Sequence, residues 1–383
     1  MVIGQFCDTY PPSLDGVGRV ALSYCQVLTR MGHETYYIAP ESPEAAEVSG
    51  FRTVLSASVK MPGELYRIGL PGLDMKYRHQ LNQIPFDLVH AQSPFLAADE
   101  ALRIARRRGI PLVTTFHSKY YDDALAKTHS VTLARMVIRG ILRFYDRCDG
   151  VWTVNHATAD VLREYGFTGN ILVMENGTDR EKLQPEAERR VRERLRLPAN
   201  EPVLLFVGQH NYKKNLHGVM GACAQLKRQG LRFQLVTAGD GPDFANIVAE
   251  ADNLGLSDIC HFLGFMGDRN ELMALYHLAD LLVFPSLYDN APMVLREAAV
   301  MGTPGLVVAD SCSAEGLTDG VNAYISPDEQ ADSIAATILR ALPHLKEVGA
   351  QALETIPVSW SEIMQRVVKE YQRLIDGPRC PKD

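Results

Sequence analysis

Apolar residues gather in short runs along the chain, and amphipathic segments of helix length separate them. In the first half the runs read VIGQFC, TYYIAP, DLVHAQ, PLVTTF, GVWTVN and ILVMEN. In the second half they read VLLFVG, FQLVTAG, CHFLGF, LLVFPS, GLVVAD and AYIS. Such runs, with little polar alternation, predict strands buried on both faces. Helices are expected over 17–31, 97–108, 131–147, 215–229, 243–254, 269–279 and 292–301. Strand and helix in repetition predict a doubly wound parallel sheet, and the series occurs twice. The expected fold class is therefore α/β, with two doubly wound parallel-sheet domains facing a cleft. The break falls near 175–200, where a charged stretch, REKLQPEAERRVRERLRLPANEP, reads as a solvated connector. The tail from about 358, SWSEIMQRVVKEYQRLI, reads as a final amphipathic helix.

Composition narrows the picture. A length of 383 residues leaves room for two full cores. The net charge of −7 argues against a general nucleic-acid binder. No apolar run reaches membrane-spanning length, and the first residues lack the pattern of a signal peptide. Seven scattered cysteines form no CxxC pair, so no metal site is expected, and a reducing cytoplasm suits them.

Ligands of doubly wound sheets bind beyond the carboxyl ends of the strands, so the loops there carry the candidate chemistry. After the first strand, Gly16 and Gly18 precede a helix, whose N-terminus favours an anion; a tight turn is the other reading. His117 follows the fourth strand as a ligand contact or a packed residue, and His90 is a weaker candidate. In FVGQHNYKKNLHGV, Gly208 allows a turn and Lys213 and Lys214 precede a helix, where an ammonium holds a phosphate or simply stays solvated. Gly239 and Gly241 read as a plain turn. In FPSLYDNAPMVLREAAVMGTP, Asp289 lies just before a helix and Glu297 within it. The two acids stand about one to two turns apart, too far to share a proton. That spacing suits two hydroxyl-rich groups of one elongated ligand with a phosphate between them, the layout of a sugar–diphosphate–nucleoside.

These residues resemble the retaining glycosyltransferases of family 4, which have the two-domain GT-B fold with Rossmann-like halves. The family hallmark is Glu, seven residues, Glu, then A…GTP; here it reads DNAPMVLREAAVMGTP, with Asp289 in the first place. DGVGR, GHETYYIAP, FDLVHAQSP, ENGTD, GDGPD, HFLGF, YHLADLLVFPS and EGLTDGVNAYIS match in order along nearly the whole chain. The first half is also similar to bacterial diacylglycerol glucosyltransferases and phosphatidylinositol mannosyltransferases.

The resemblance implies an N-terminal acceptor domain over 1–178, joined by the C-terminal helix at about 358–378, and a donor domain over 179–357. It implies no bound cofactor or metal, the nucleoside-diphosphate sugar being a substrate. Glu297 would hold the ribose and Asp289 the donor sugar, with Asn290 and Ala291 beside it. Lys214 would neutralise the diphosphate, and Gly16 and its neighbours would offer it N–H groups. His117 would contact the transferred sugar, and the backbone around Phe265 and Met266 would receive the base. His117, Asp289 and Lys214 form the expected catalytic set. Three positions depart from the pattern: Gln209 replaces an arginine of the diphosphate site, Asp289 is one methylene shorter than Glu, and Ala323 stands where glycine is usual.

The expected reaction is transfer of a hexose, from a UDP-sugar in the first instance, to a hydroxyl of a lipid or glycan acceptor. Alternatives are a GDP-mannose-dependent mannosyltransferase, a sugar-nucleotide epimerase and a non-catalytic sugar-nucleotide binder. Arg135, Arg139, Arg143 and Arg147 recur every four residues among apolar positions. Residues 100–150 carry ten Lys and Arg against five Asp and Glu, opposite to the chain's overall sign. That segment is either an ordinary helix with an arginine face outward or a contact to an anionic membrane. The expected location is cytoplasmic, peripheral on the inner face of the membrane in the second case.

Overall fold

The structure, a computed structural model, describes residues 1–11, 16–42, 50–60 and 67–378. The chain divides into two compact units, Met1–Gly177 with Trp360–Asp383, and Thr178–Ser359.

The first unit is built on a parallel sheet. Its strands are β1 (Val2–Phe6), β2 (Glu34–Pro40), β3 (Arg52–Ser56), β6 (Leu88–Ala91), β7 (Leu112–Phe116), β8 (Gly150–Thr153) and β9 (Leu172–Val173). A small antiparallel pair, β4 (Ser58–Lys60) and β5 (Arg67–Gly69), lies between β3 and β6 in the sequence. The sheet order is β3-β2-β1-β6-β7-β8-β9. Every residue of β6 and β7 is buried, which is why their sequences read as unbroken apolar runs. Edge strand β3 has only alternate residues buried, and its RTVLS gives no comparable run.

The second unit repeats the plan with β10 (Val203–Val207), β11 (Gln234–Ala238), β12 (Cys260–Phe262), β13 (Leu281–Val283), β14 (Gly305–Val308) and β15 (Ala323–Ser326). Their order is β12-β11-β10-β13-β14-β15, all parallel. The charged stretch expected to be a solvated connector is instead a core helix, Pro185–Leu195. Its arginines and glutamates face outward, while Ala187, Val191 and Leu195 are buried in the hydrophobic core of this unit. An i, i+4 apolar stripe was hidden among the charges.

In each sheet the strand order reverses once, between β1 and β6 and between β10 and β13. The loops that leave these neighbours diverge, and ligands of such sheets bind in the crevice between them.

The last helix, Trp360–Asp376, returns to the first unit and buries Trp360, Ile363, Met364, Val367 and Tyr371. The Tyr371 ring stacks on Trp152 of β8 at 5.5 Å between centroids. Gly177 closes the same unit against this helix. A Cβ on Gly177 would lie 2.7 Å from the Trp360 Cα, a clash with backbone that cannot swing away. Gly177→Ala is therefore expected to destabilise the first unit by about 1–3 kcal/mol, the usual cost of overpacking. A thermal melt should fall by several degrees; an unchanged melting temperature would mean that the helix start shifts freely.

Candidate active site

The reversal between β10 and β13 brings together the two loops singled out in the second half of the sequence. After β10 the chain makes a short turn, Tyr212–Lys214, capped by the Asn211 side chain, which accepts from Lys214 N at 3.2 Å. Asn215 then adopts φ +58, and its amide donates to Pro285 O at 3.3 Å and Glu329 O at 2.8 Å. That buried amide ties the β10 loop to the β13 loop. A Cβ on Gly218 would lie 2.6 Å from its oxygen, so glycine makes room for it.

The tie sets the Lys214 ammonium against Asp289, and the two form an ion pair with both side chains largely out of water. The second Asp289 oxygen accepts from Ser286 Oγ at 2.6 Å. Lys213 and Lys214 both approach the Tyr288 ring, at 4.9 and 5.3 Å from its centroid. Asn290 is buried beside Asp289, and Ala291 is half-buried. Gln209 lies in the same loop, half-buried, and accepts from Asn211 Nδ2 at 3.2 Å.

Gly239 and Gly241 are more than a plain turn. A Cβ on Gly239 would fall 1.9 Å from Gly208 O, and one on Gly241 would fall 2.5 Å from His210 O. The loops after β10 and β11 pack backbone against backbone, which no side chain would allow.

Pro292 leads into the helix Met293–Val300, so Asp289 precedes it and Glu297 lies on its buried face. Glu297 is only 5% exposed. Tyr276 donates to one of its oxygens at 2.9 Å, and Arg269 Nη1 to the other at 2.5 Å. Arg269 also donates to Glu181 through Nε and Nη2, at 3.0 and 2.7 Å. A carboxylate this deep is tolerable only with such partners. Sequence reading missed Arg269, Tyr276 and Glu181, which lie at long separations and share no spacing with Glu297. Phe265 and Met266 follow edge strand β12; Phe265 is 62% exposed, while Met266 packs on the core.

In the first unit, Gly16 opens the helix Gly16–Arg30, and a Cβ there would meet nothing within 4 Å. Asp15, which precedes it, lies outside the described residues. His117 follows β7, and its Nε2 stands 2.9 Å from Gln92 Oε1. Burial lowers its pKa to about 3, so the ring is neutral at ordinary pH. His90 is buried in the sheet, within 2.6 Å of Tyr371 Oη and 2.8 Å of Thr115 Oγ1, and is a core residue.

Arg135, Arg139 and Arg143 lie on the exposed face of the helix Val131–Tyr145, and Arg147 falls just beyond its end. Among the described residues, none of the three on the helix forms an ion pair with a carboxylate. Val131, Leu133, Met136 and Val137 share that exposed face, Met136 being 58% exposed. Among the described residues, no helix is long and apolar enough to cross a membrane, and no three acids, histidines or cysteines group to hold a metal ion.

Two family profiles match the chain in succession: "Glycosyltransferase Family 4" over residues 14–182 and "Glycosyl transferases group 1" over residues 187–347. Alpha-monoglucosyldiacylglycerol synthase of Streptococcus pneumoniae is 25% identical, over 100% of this chain and 88% of its own length. Among solved structures, sucrose-phosphate synthase of Thermosynechococcus elongatus superposes with a TM-score of 0.82 at 19% identity, covering 98% of this chain and 99% of its own. The HepE protein of Anabaena, solved with UDP and glucose, gives 0.77 at 18%, covering 97% and 99%. These likenesses place both sheets in the GT-B fold.

The depressed pKa of His117 has a consequence for stability. Unfolded, the ring takes up a proton as pH falls below about 6.5; folded, it resists until about pH 3. The unfolded state therefore binds more protons in that window, and stability falls with pH at about 1.4 kcal/mol per unit for this group. His117→Gln should flatten the pH dependence of unfolding between pH 6.5 and 5. A His117 ring signal that titrates near pH 6.5 in the folded protein would contradict this.

Proposed function

The chain belongs to glycosyltransferase family 4, and from that premise we propose that it transfers a hexose from a UDP-sugar to a lipid hydroxyl, with retention of anomeric configuration. It is a GT-B glycosyltransferase that uses nucleotide sugars. The observation that carries the finer reading is the pairing of Lys214 and Asp289 at the strand-order reversal, with Glu297 buried on the adjoining helix.

In this reading the second unit holds the donor. Glu297, held rigidly by Tyr276 and Arg269, accepts hydrogen bonds from the ribose hydroxyls. The base lies against the backbone near Phe265 and Met266. The diphosphate takes the Lys214 ammonium, and Asp289, released from it, turns to hydroxyls of the sugar. As the glycosidic bond breaks, negative charge grows on the leaving diphosphate. Lys214 then stabilises the transition state more than the ground state. Transfer rather than glycosidase-type hydrolysis is supported by the state of the two acids in the donor unit: Asp289 is bound to Lys214 and Ser286, and Glu297 to Tyr276 and Arg269. Neither is arranged as one of a glycosidase-type carboxylate pair. The leaving phosphate itself takes the acceptor's proton. Gln209 removes one positive charge from the diphosphate site and leaves Lys214 as its main counter-charge.

A UDP donor is supported by the likeness to a fold neighbour solved with UDP and glucose. The lipid acceptor is supported by the relative named for a monoglucosyldiacylglycerol product. It is also supported by the helix Val131–Tyr145, where exposed arginines flank an exposed apolar stripe. Such a face suits an anionic bilayer, apolar side chains entering the interface and guanidinium groups meeting phosphates.

Four experiments test the proposal. Purified protein should release UDP from a UDP-hexose in the presence of diacylglycerol or a related lipid, giving the α-glycoside; release only from a GDP-sugar would sink the donor assignment. Glu297→Ala should weaken free UDP and donor alike by roughly ten- to hundredfold, the worth of hydrogen bonds to a charged group. Lys214→Ala should instead lower kcat more than UDP affinity. Changing Arg135, Arg139 and Arg143 together to glutamine should reduce binding to anionic liposomes on the order of a hundredfold, at about 1 kcal/mol per residue. The difference should fade at high salt. Wild-type protein that ignores anionic liposomes at low salt would point to a soluble acceptor.

A further inference from the structure

One helix of the second unit, Arg269–Leu278, sets two donors on Glu297. Its start is fixed. The Asp268 side chain caps it by accepting from Asn270 N at 2.8 Å, and Arg190 pairs with Asp268 at 3.2 Å and with Glu271 at 2.6 Å. Arg269 and Tyr276 stand close to two turns apart on this helix and so share a face. Tyr276 Oη donates to Glu297 Oε2 at 2.9 Å, and Arg269 Nη1 donates to Oε1. Among the described residues these are the hydrogen-bond donors to that carboxylate. A carboxylate oxygen has two lone pairs, so each Glu297 oxygen keeps one.

Such an even division is not what an arginine imposes by itself. A guanidinium beside a carboxylate readily sets two parallel N–H groups on its two oxygens. A fork of that kind would fill Glu297. Here Nε and Nη2 both donate to Glu181 Oε1 instead, at 3.0 and 2.7 Å, and Nη1 alone is left for Glu297. The side chains of Arg269 and Glu181 are 37% and 33% exposed, that of Glu297 only 6%. Glu297 is fixed in the core, and the division of the guanidinium is decided by Glu181.

We propose that Glu181 is a positioning residue of the ribose site: by holding two of the Arg269 N–H groups it keeps Arg269 off the second oxygen of Glu297, and the lone pair left on each oxygen lets Glu297 read both hydroxyls of a vicinal diol. The proposal rests on the reading of Glu297 as the ribose contact. A ribose offers two O–H donors on adjacent carbons, and a 2′- or 3′-deoxyribose offers one. Glu181, acting only through Arg269, thereby sets a preference for ribonucleotides over their deoxy analogues.

The test is calorimetric titration of the full chain with UDP, 2′-deoxy-UDP and 3′-deoxy-UDP, or the guanosine series if the wild type binds GDP instead. The wild type should bind UDP roughly five- to tenfold more tightly than either deoxy analogue, the worth of one hydrogen bond. In Glu181→Ala the guanidinium should swing onto both oxygens of Glu297. UDP affinity should then fall roughly five- to tenfold, and most of the preference for the diol should go with it. Glu181→Gln keeps an acceptor for Arg269 and should lose less. Arg269→Lys cannot form a fork, so adding Glu181→Ala to it should cost UDP little further affinity. The Glu181–Arg269 pair is partly exposed, so the melting temperature of Glu181→Ala should stay near that of the wild type.

A Glu181→Ala protein whose UDP affinity and diol preference match or exceed the wild type overturns the proposal. So does an equal loss on adding Glu181→Ala to Arg269→Lys. The reading of Glu297 is tested separately: Glu297→Ala with undiminished UDP affinity would remove the ribose contact itself, whatever Glu181 does.

Discussion

A parallel strand whose two faces are both buried leaves polar chemistry only its ends. The central strands β7, β10 and β11 have no residue exposed to water. Every polar group that must meet a ligand is thereby driven to the loops beyond the strands. The widest room between those loops is at the single reversal of strand order. Lys214, Asp289 and Ser286 meet at such a point because β10 and β13 are neighbours in the sheet although far apart in sequence. His117 and Gln92 meet away from the reversal, at the ends of the neighbouring strands β7 and β6.

The second unit keeps its charges in matched sets. Glu297 would be intolerable on a buried helix face without Arg269 and Tyr276, and Arg269 in turn has Glu181. Lys214 is balanced by Asp289. A low local dielectric strengthens each of these interactions and equally punishes any vacancy. In the proposed reading, binding of an anionic, hydroxyl-rich molecule is an exchange of partners. That exchange selects for ligands able to replace what they displace, and a bare phosphate or a neutral sugar replaces only part.

Much of the fold was legible because parallel strands buried on both faces write themselves as unbroken apolar runs. VLLFVG, PLVTTF and GLVVAD all became strands. Elements that touch water on one side were harder to see. RTVLS, on an edge, and the polar helix Met75–Gln83 carry too weak a pattern. The helix Pro185–Leu195 was masked by its own charge. At the site, Asp289 and Glu297 were visible through their spacing around one helix start. Arg269 and Gln92 were not, since each acts across the fold on a residue far away in sequence. Glycine at 239 looked like a turn, because a sequence does not record how near another backbone will come.

The last helix belongs to the first unit, yet all of the second unit is made before it. During synthesis the second sheet can close over its core as soon as its own strands have emerged. The first must wait, with Trp152, His90 and Gln5 lacking the side chains that cover and bond them, until residues near 371 leave the ribosome. Domains ordinarily complete themselves in the order in which they are made. Here the order is inverted, and the half that begins the chain is the last to become whole.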